Sequence, residues 1–171
     1  MRTSTNTPVA DAVLNFSVDG VVIGSASTDS NGKASLPYTV DERFGAGKHK
    51  LVVAFAGDKN HSATTKTATF KVVAAQTQVA VTDATASRGA TISLQGSIAR
   101  VTDGAPLAGR MVRFQIDGNT VGSTATDAMG MATLSYAVNE SLSLGSHKIR
   151  VLFDGEPLYS KSSGTGTLKV K

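Results

Sequence analysis

Cysteine and tryptophan are both missing from the 171 residues, and aromatic residues make up only 5%. Without cysteine there is no disulfide, no thiolate metal site and no cysteine nucleophile. The redox compartment is left open, because a chain without thiols is indifferent to it. No apolar run approaches the roughly 18 residues of a membrane span, so membrane insertion is not expected. The chain does not open on basic residues followed by an apolar core and a small-residue cleavage site, so no signal peptide is visible. Helical periodicity is also lacking. With no helix there is no strand-to-helix phosphate loop.

What is plentiful is Gly, Ser, Thr, Ala and Val, a mixture suited to short strands and tight turns. Hydrophobic residues reach 40% and charged residues 18%, the profile of a folded domain rather than a disordered polyelectrolyte. The formal net charge is +4. The cations are scattered, with Lys48-His49-Lys50 the densest group, and Arg110 and Arg113 straddle Met111 and Val112. Nucleic-acid binding needs a stripe or cluster, so no nucleic-acid partner is expected.

An internal repeat organises the chain. When Pro8 is placed on Pro106, the match runs without a gap to Val73 on Lys171, and 26 of 66 positions are identical. Phe16-Ser17-Val18-Asp19-Gly20 falls on Phe114-Gln115-Ile116-Asp117-Gly118, and Gly47, His49 and Lys50 fall on Gly145, His147 and Lys148. This is duplication rather than convergent composition. It divides the chain into residues 1–75 and 76–171.

Alternation of apolar and polar residues marks seven strands in the second repeat. Their shared faces hold Val79 and Val81; Ile92, Leu94 and Ile98; Val112, Phe114 and Ile116; Ala132, Leu134, Tyr136 and Val138; Ile149, Val151 and Phe153; and Leu168 and Val170, with a short fourth strand over roughly 120–126. Arg113 and Gln115 fall on the opposite face. Asp117-Gly118 signals a tight hairpin, and Asp127 to Gly130 a four-residue turn ending in glycine. Seven short strands in a repeat of this size suit two antiparallel sheets packed face to face.

The run Gly47-Lys48-His49 through Phe55-Ala56-Gly57-Asp58, then His61, together with Gly145-Ser146-His147, Phe153-Asp154-Gly155-Glu156 and Tyr159, resembles the bacterial immunoglobulin-like repeats of large secreted and cell-surface proteins. The aromatic-then-Asp-Gly pieces Phe16 to Gly20 and Phe114 to Gly118 fit the same pattern. His61 departs from it, standing where the family usually has Tyr. The resemblance implies an all-β fold of tandem immunoglobulin-like β-sandwiches and an extracellular or cell-surface location. It also implies a non-enzymatic role as spacer, stalk or adhesive arm, with neighbouring immunoglobulin-like repeats in a longer chain as partners.

The first repeat is incomplete. Ahead of its Pro8 only Met1–Thr7 occupy the place of two strands in the second, and seven polar residues cannot supply two strands and a turn. Leu36 and Tyr38 should therefore lose neighbours. If three apolar side chains are missing, roughly 1.5–3 kcal/mol of burial is lost for each, against a net domain stability of about 5–15 kcal/mol. Either the chain is a fragment of a longer repeat protein, or a neighbouring chain donates the missing strands.

No catalytic, cofactor-binding or metal-ligating residue is nominated. His49 and His147 are repeat equivalents, read as strand-start histidines with a structural hydrogen bond. No His and carboxylate accompany one Ser in a nucleophile motif. Asp29-Ser30-Asn31-Gly32 has the close oxygen spacing of a calcium loop, but its partner Asp127-Ala128-Met129-Gly130 keeps only the turn formers. A sugar platform would need exposed aromatics, whereas Phe16, Tyr38, Phe55, Phe114, Tyr136 and Phe153 are expected to face inward. The alternative to the structural role is a carbohydrate- or calcium-binding accessory module of an exported enzyme.

The last strand of one copy can pass almost directly into the first of the next, since 73–77 holds no Gly or Pro. An extended arrangement of the two copies is therefore expected.

Overall fold

A computed structural model describes residues 7–171 and divides the chain into two compact units, Met1–Val73 and Ala74–Lys171. What was expected of Met1–Thr7 concerns residues that, apart from Thr7, lie outside those described. Every described element is a strand except one 3-10 turn at Glu42–Phe44.

The second unit holds β5 (Thr77–Val81), β6 (Ala84–Ala86), β7 (Thr91–Arg100), β8 (Met111–Ile116), β9 (Asn119–Ala125), β10 (Met131–Ala137), β11 (Gly145–Phe153) and β12 (Ser162–Val170). One sheet runs β10-β7-β5 and the other β6-β12-β11-β8-β9. All pairs are antiparallel except β6 with β12. The two inner faces meet in a continuous core that includes Leu94, Ile98, Phe114, Ile149, Val151, Phe153 and Leu168. Phe114 has no exposed surface at all. Every inward residue expected from the alternation is in this core or packed against it, and Val121 of the short fourth strand packs against it too. The strand count differs by one: β6 adds an eighth.

Two glycines allow β5 to lie close over β12. A Cβ on Gly164 would sit 2.3 Å from the carbonyl oxygen of Val79, and one on Gly166 would sit 3.0 Å from a Val81 methyl. Ala75 is tied into the same unit, donating its N–H to Leu158 O and accepting from Ser160 N–H. The Thr77 hydroxyl donates to Ser160 O at 2.8 Å.

The first unit holds β1 (Val13–Val18), β2 (Val21–Ser27), β3 (Gly47–Phe55) and β4 (Thr64–Val72) in one antiparallel sheet, β2-β1-β3-β4. These correspond to β8, β9, β11 and β12. Even the irregularity is copied, since the β1–β2 register shifts at Phe16/Ser17 as β8–β9 does at Phe114/Gln115. Among the described residues nothing corresponds to β5, β6 or β7.

The consequence appears at the counterpart of β10. Residues 33–39 form no strand, because β7 is the partner β10 pairs with and the described residues of the first unit offer no such neighbour. The segment nonetheless keeps its position. Asp29 N–H donates to Lys33 O as Asp127 N–H donates to Met131 O. Leu36 lies over Gly24 as Leu134 lies over Gly122. The inward aromatics of the first repeat are accordingly less covered than expected. Phe16 and Phe55 are only half-buried, and Tyr38 is 37% exposed.

Candidate functional site

Two features common to both repeats, and a third confined to the second, could carry chemistry. The first is a histidine held at both ring nitrogens. Asp117 and Gly118 form the two-residue loop between β8 and β9, both at positive φ (48° and 85°), as a hairpin of this type requires. The loop carries the Asp117 carboxylate back over β11. One oxygen accepts the Lys148 N–H at 2.8 Å, and the other lies 2.6 Å from His147 Nδ1. His147 Nε2 lies 2.8 Å from the Ser143 carbonyl oxygen. Both partners only accept, so the doubly protonated ring satisfies both contacts. The neighbouring carboxylate first, and the Ser143 carbonyl second, push the His147 pKa above its ordinary value. His147 and the Lys148 N–H hold Asp117 below its own.

The first repeat reproduces the arrangement. Asp19 accepts the Lys50 N–H at 2.8 Å and faces His49 Nδ1 at 2.8 Å, while His49 Nε2 lies 3.0 Å from Gly45 O. The shifts run the same way, with the aspartate the leading cause for His49. The two histidines belong to separate units and each serves its own hairpin. The geometry is that of a latch between a turn and a strand.

The second feature is the pair of aspartate turns. One Asp29 oxygen accepts the N–H of both Asn31 and Lys33, at 2.8 and 2.9 Å. Asp127 does the same for Met129 and Met131. These carboxylates are engaged in closing backbone turns. Among the described residues no group of three or more His, Cys, Asp or Glu is placed to hold a metal ion.

The third feature differs between the repeats. In the second, the Arg110 guanidinium lies 4.8 Å from the centroid of the Tyr159 ring and pairs with Glu156, and Tyr159 packs against the core. The first repeat has Ala12 and His61 at those positions. His61 is exposed and bonds to Asp58 instead.

The feature that most resembles a binding site was not nominated from sequence as a site. The inward face of the first unit is an open apolar groove of about 300 Å³, lined among others by Phe16, Val18, Leu36, Tyr38, Leu51 and Phe70. Their counterparts Phe114, Ile116, Ile149 and Leu168 belong to the closed core of the second unit, and Leu134 and Tyr136 pack against it. Phe44 is buried and meets Tyr38 and His49 edge-on, with ring centroids 6.4 and 5.9 Å apart. The signal for the groove was present in the sequence as the missing strands and the stranded Leu36 and Tyr38.

No family model matches the chain, and no curated protein matches it. Solved structures do. A tetra-tandem repeat from the extending region of a large adhesion protein is similar over 96% of this chain and 43% of that one, at 18% identity and a TM-score of 0.56. The Yersinia pseudotuberculosis adhesin InvE is similar over 98% and 51%, at 16% identity and a TM-score of 0.43. The fibronectin(III)-like modules of Clostridium thermocellum CbhA are similar over 99% and 82%, at 16% identity and a TM-score of 0.43. The chain thus spans about half or less of the two adhesion structures. The fold is an all-β tandem of immunoglobulin-like units, the second a two-sheet sandwich and the first, among the described residues, a single four-stranded sheet.

Proposed function

We propose that this chain is a non-enzymatic structural or adhesive module, a spacer or stalk within a larger secreted or cell-surface protein, and a member of the bacterial immunoglobulin-like repeats. In this reading residues 1–75 are a truncated repeat, residues 76–171 a complete one, and the partners are further repeats of the same kind. The observation that carries it is the gapless duplication of one sandwich design, down to the same hairpin latch, the same bulge and the same aspartate turn. Similarity to a tetra-tandem repeat from an adhesion protein's extending region supports it. A spacer needs units that hold their shape under load, and a closed core latched at its hairpins supplies that.

Stretching single molecules tests the proposal. The second unit should unfold in one step, releasing roughly 320–350 Å of chain. Gradual extension without a discrete step would argue against a load-bearing spacer.

A further inference from the structure

We propose that the outward face of β11 and β12, and its copy on β3 and β4, binds a linear polysaccharide that carries carboxylates. This goes beyond the spacer reading, since a spacer needs no ligand along its flank.

The cations are scattered in the sequence, but the strands gather them. In β11 the exposed Ser146, Lys148 and Arg150 alternate with buried His147, Ile149 and Val151. In β12 the exposed Thr165, Thr167 and Lys169 alternate with Gly166, Leu168 and Val170. Pairing sets Lys148 opposite Thr167, Arg150 opposite Thr165 and Lys169 opposite Ser146. Three cations thus share one face with a row of hydroxyls. On β3 and β4, Lys50 stands opposite Thr69, and Lys48 stands opposite Lys71. Like charges directly opposite each other cost stability. None of these six cations has a carboxylate partner among the described residues. No described strand contains an Asp or Glu, so the acids are confined to the segments between strands.

The duplication singles out the same side chains. Lys50, Thr67, Thr69 and Lys71 fall on Lys148, Thr165, Thr167 and Lys169, identical at all four although most aligned positions differ. Identity in the core and the turns follows from the shared fold. Identity at exposed side chains on a sheet face is what a binding surface retains, the more so because lysine is disfavoured in strands.

The chemistry of the partner follows from what the face offers and lacks. The ammonium groups meet anions, and threonine hydroxyls both donate to and accept from sugar hydroxyls. Along one strand the hydroxyls recur every second residue, about 6.6–6.8 Å apart, which suits an extended polymer rather than a compact ligand. In the second unit Ser146, Lys148, Thr165 and Thr167 line a shallow open depression of about 430 Å³, with Asp83 at its rim. One Asp83 oxygen is taken by the Thr167 N–H at 2.7 Å. The aromatics Phe70 and Phe153 of these strands point inward, so the face has nothing on which to stack a nucleic-acid base.

The probe is an end-labelled polygalacturonate oligomer titrated onto the full chain at low salt. Its pair is the methyl-esterified oligomer, which keeps the sugar hydroxyls and loses the charge. Saturable binding of the acid form is expected, with the ester weaker by about tenfold or more. That comparison leaves the protein unaltered, so misfolding cannot mimic it.

Lys50→Gln with Lys148→Gln, one exposed lysine from each unit, should weaken binding about tenfold without moving the melting temperature. Lys33→Gln with Lys59→Gln removes the same charge from outside the strands and should change binding less than about twofold, because solvent screens distant charges. Absence of saturable binding would overturn the inference. So would equal affinity for acid and ester, equal losses from the two lysine pairs, or equal affinity for a thymidine oligonucleotide of the same charge.

Discussion

Asp117 and His147 show how one residue pair can couple this fold to pH. The folded chain raises the His147 pKa, so the protonated ring is favoured in the folded state. Its contribution is complete below the unfolded value of about 6.5 and fades as pH rises through the higher folded value. Asp117 is shifted down, so its contribution holds above about 3.9 and fades as pH falls through the lower folded value. The melting temperature of the second unit should therefore decline as pH rises above about 6.5, and Asp117→Asn should flatten that decline. An unchanged slope in Asp117→Asn would place the pH dependence elsewhere.

The repeat also offers a matched pair of aromatic deletions. Phe114→Ala should cost the second unit about 3–5 kcal/mol, as for a fully buried ring. Phe16→Ala, at the half-buried equivalent, should cost clearly less. Arg113→Ala removes an exposed ion pair with Asp154 on the other face and should cost about 1 kcal/mol or less. Melts of the three variants check this, and equal losses at 113 and 114 would mean the faces are misassigned.

At the level of elements, the fold turns on which strands have partners. β5 depends on glycines in β12, so Gly164→Ala should destabilise the second unit by about 1–3 kcal/mol or more. Lys66→Ala, at the equivalent position where nothing approaches, should be nearly neutral. Comparing the two in denaturant checks it, and equal effects would deny the close approach of β5.

Most strands were legible because their alternation is clean: Ile92, Leu94 and Ile98, read as one inward face, all lie on β7. β6 was not, since Ala84–Ala86 is three small residues long and its parallel partner β12 lies some 84 residues on. The reverse case is 33–39, whose pattern Ala34, Leu36, Tyr38, Val40 is that of a strand. Pattern places the chain, but a strand also needs a neighbour to bond to. The histidine latch was half legible. The equal spacing of Asp19 to His49 and of Asp117 to His147 was in the sequence, but only the β1–β3 and β8–β11 registers bring each pair together.

For the whole molecule the central claim is that the two repeats share one design and differ in closure. Of the described residues of the first unit, Val18, Phe44 and Val72 are its buried hydrophobics, against a continuous core in the second. Equivalent positions in one chain then report on closure alone, under identical solvent and temperature. Native-state amide hydrogen exchange of the full chain compares them directly, since protection measures the free energy of local or unit-wide opening. The amides of Phe114, Ile149 and Val151 should exchange only through unfolding of the whole second unit, and those of Phe16, Leu51 and Val53 should exchange far faster. Equal protection at the three pairs would contradict the account, because it would mean the first unit is as closed in solution as the second.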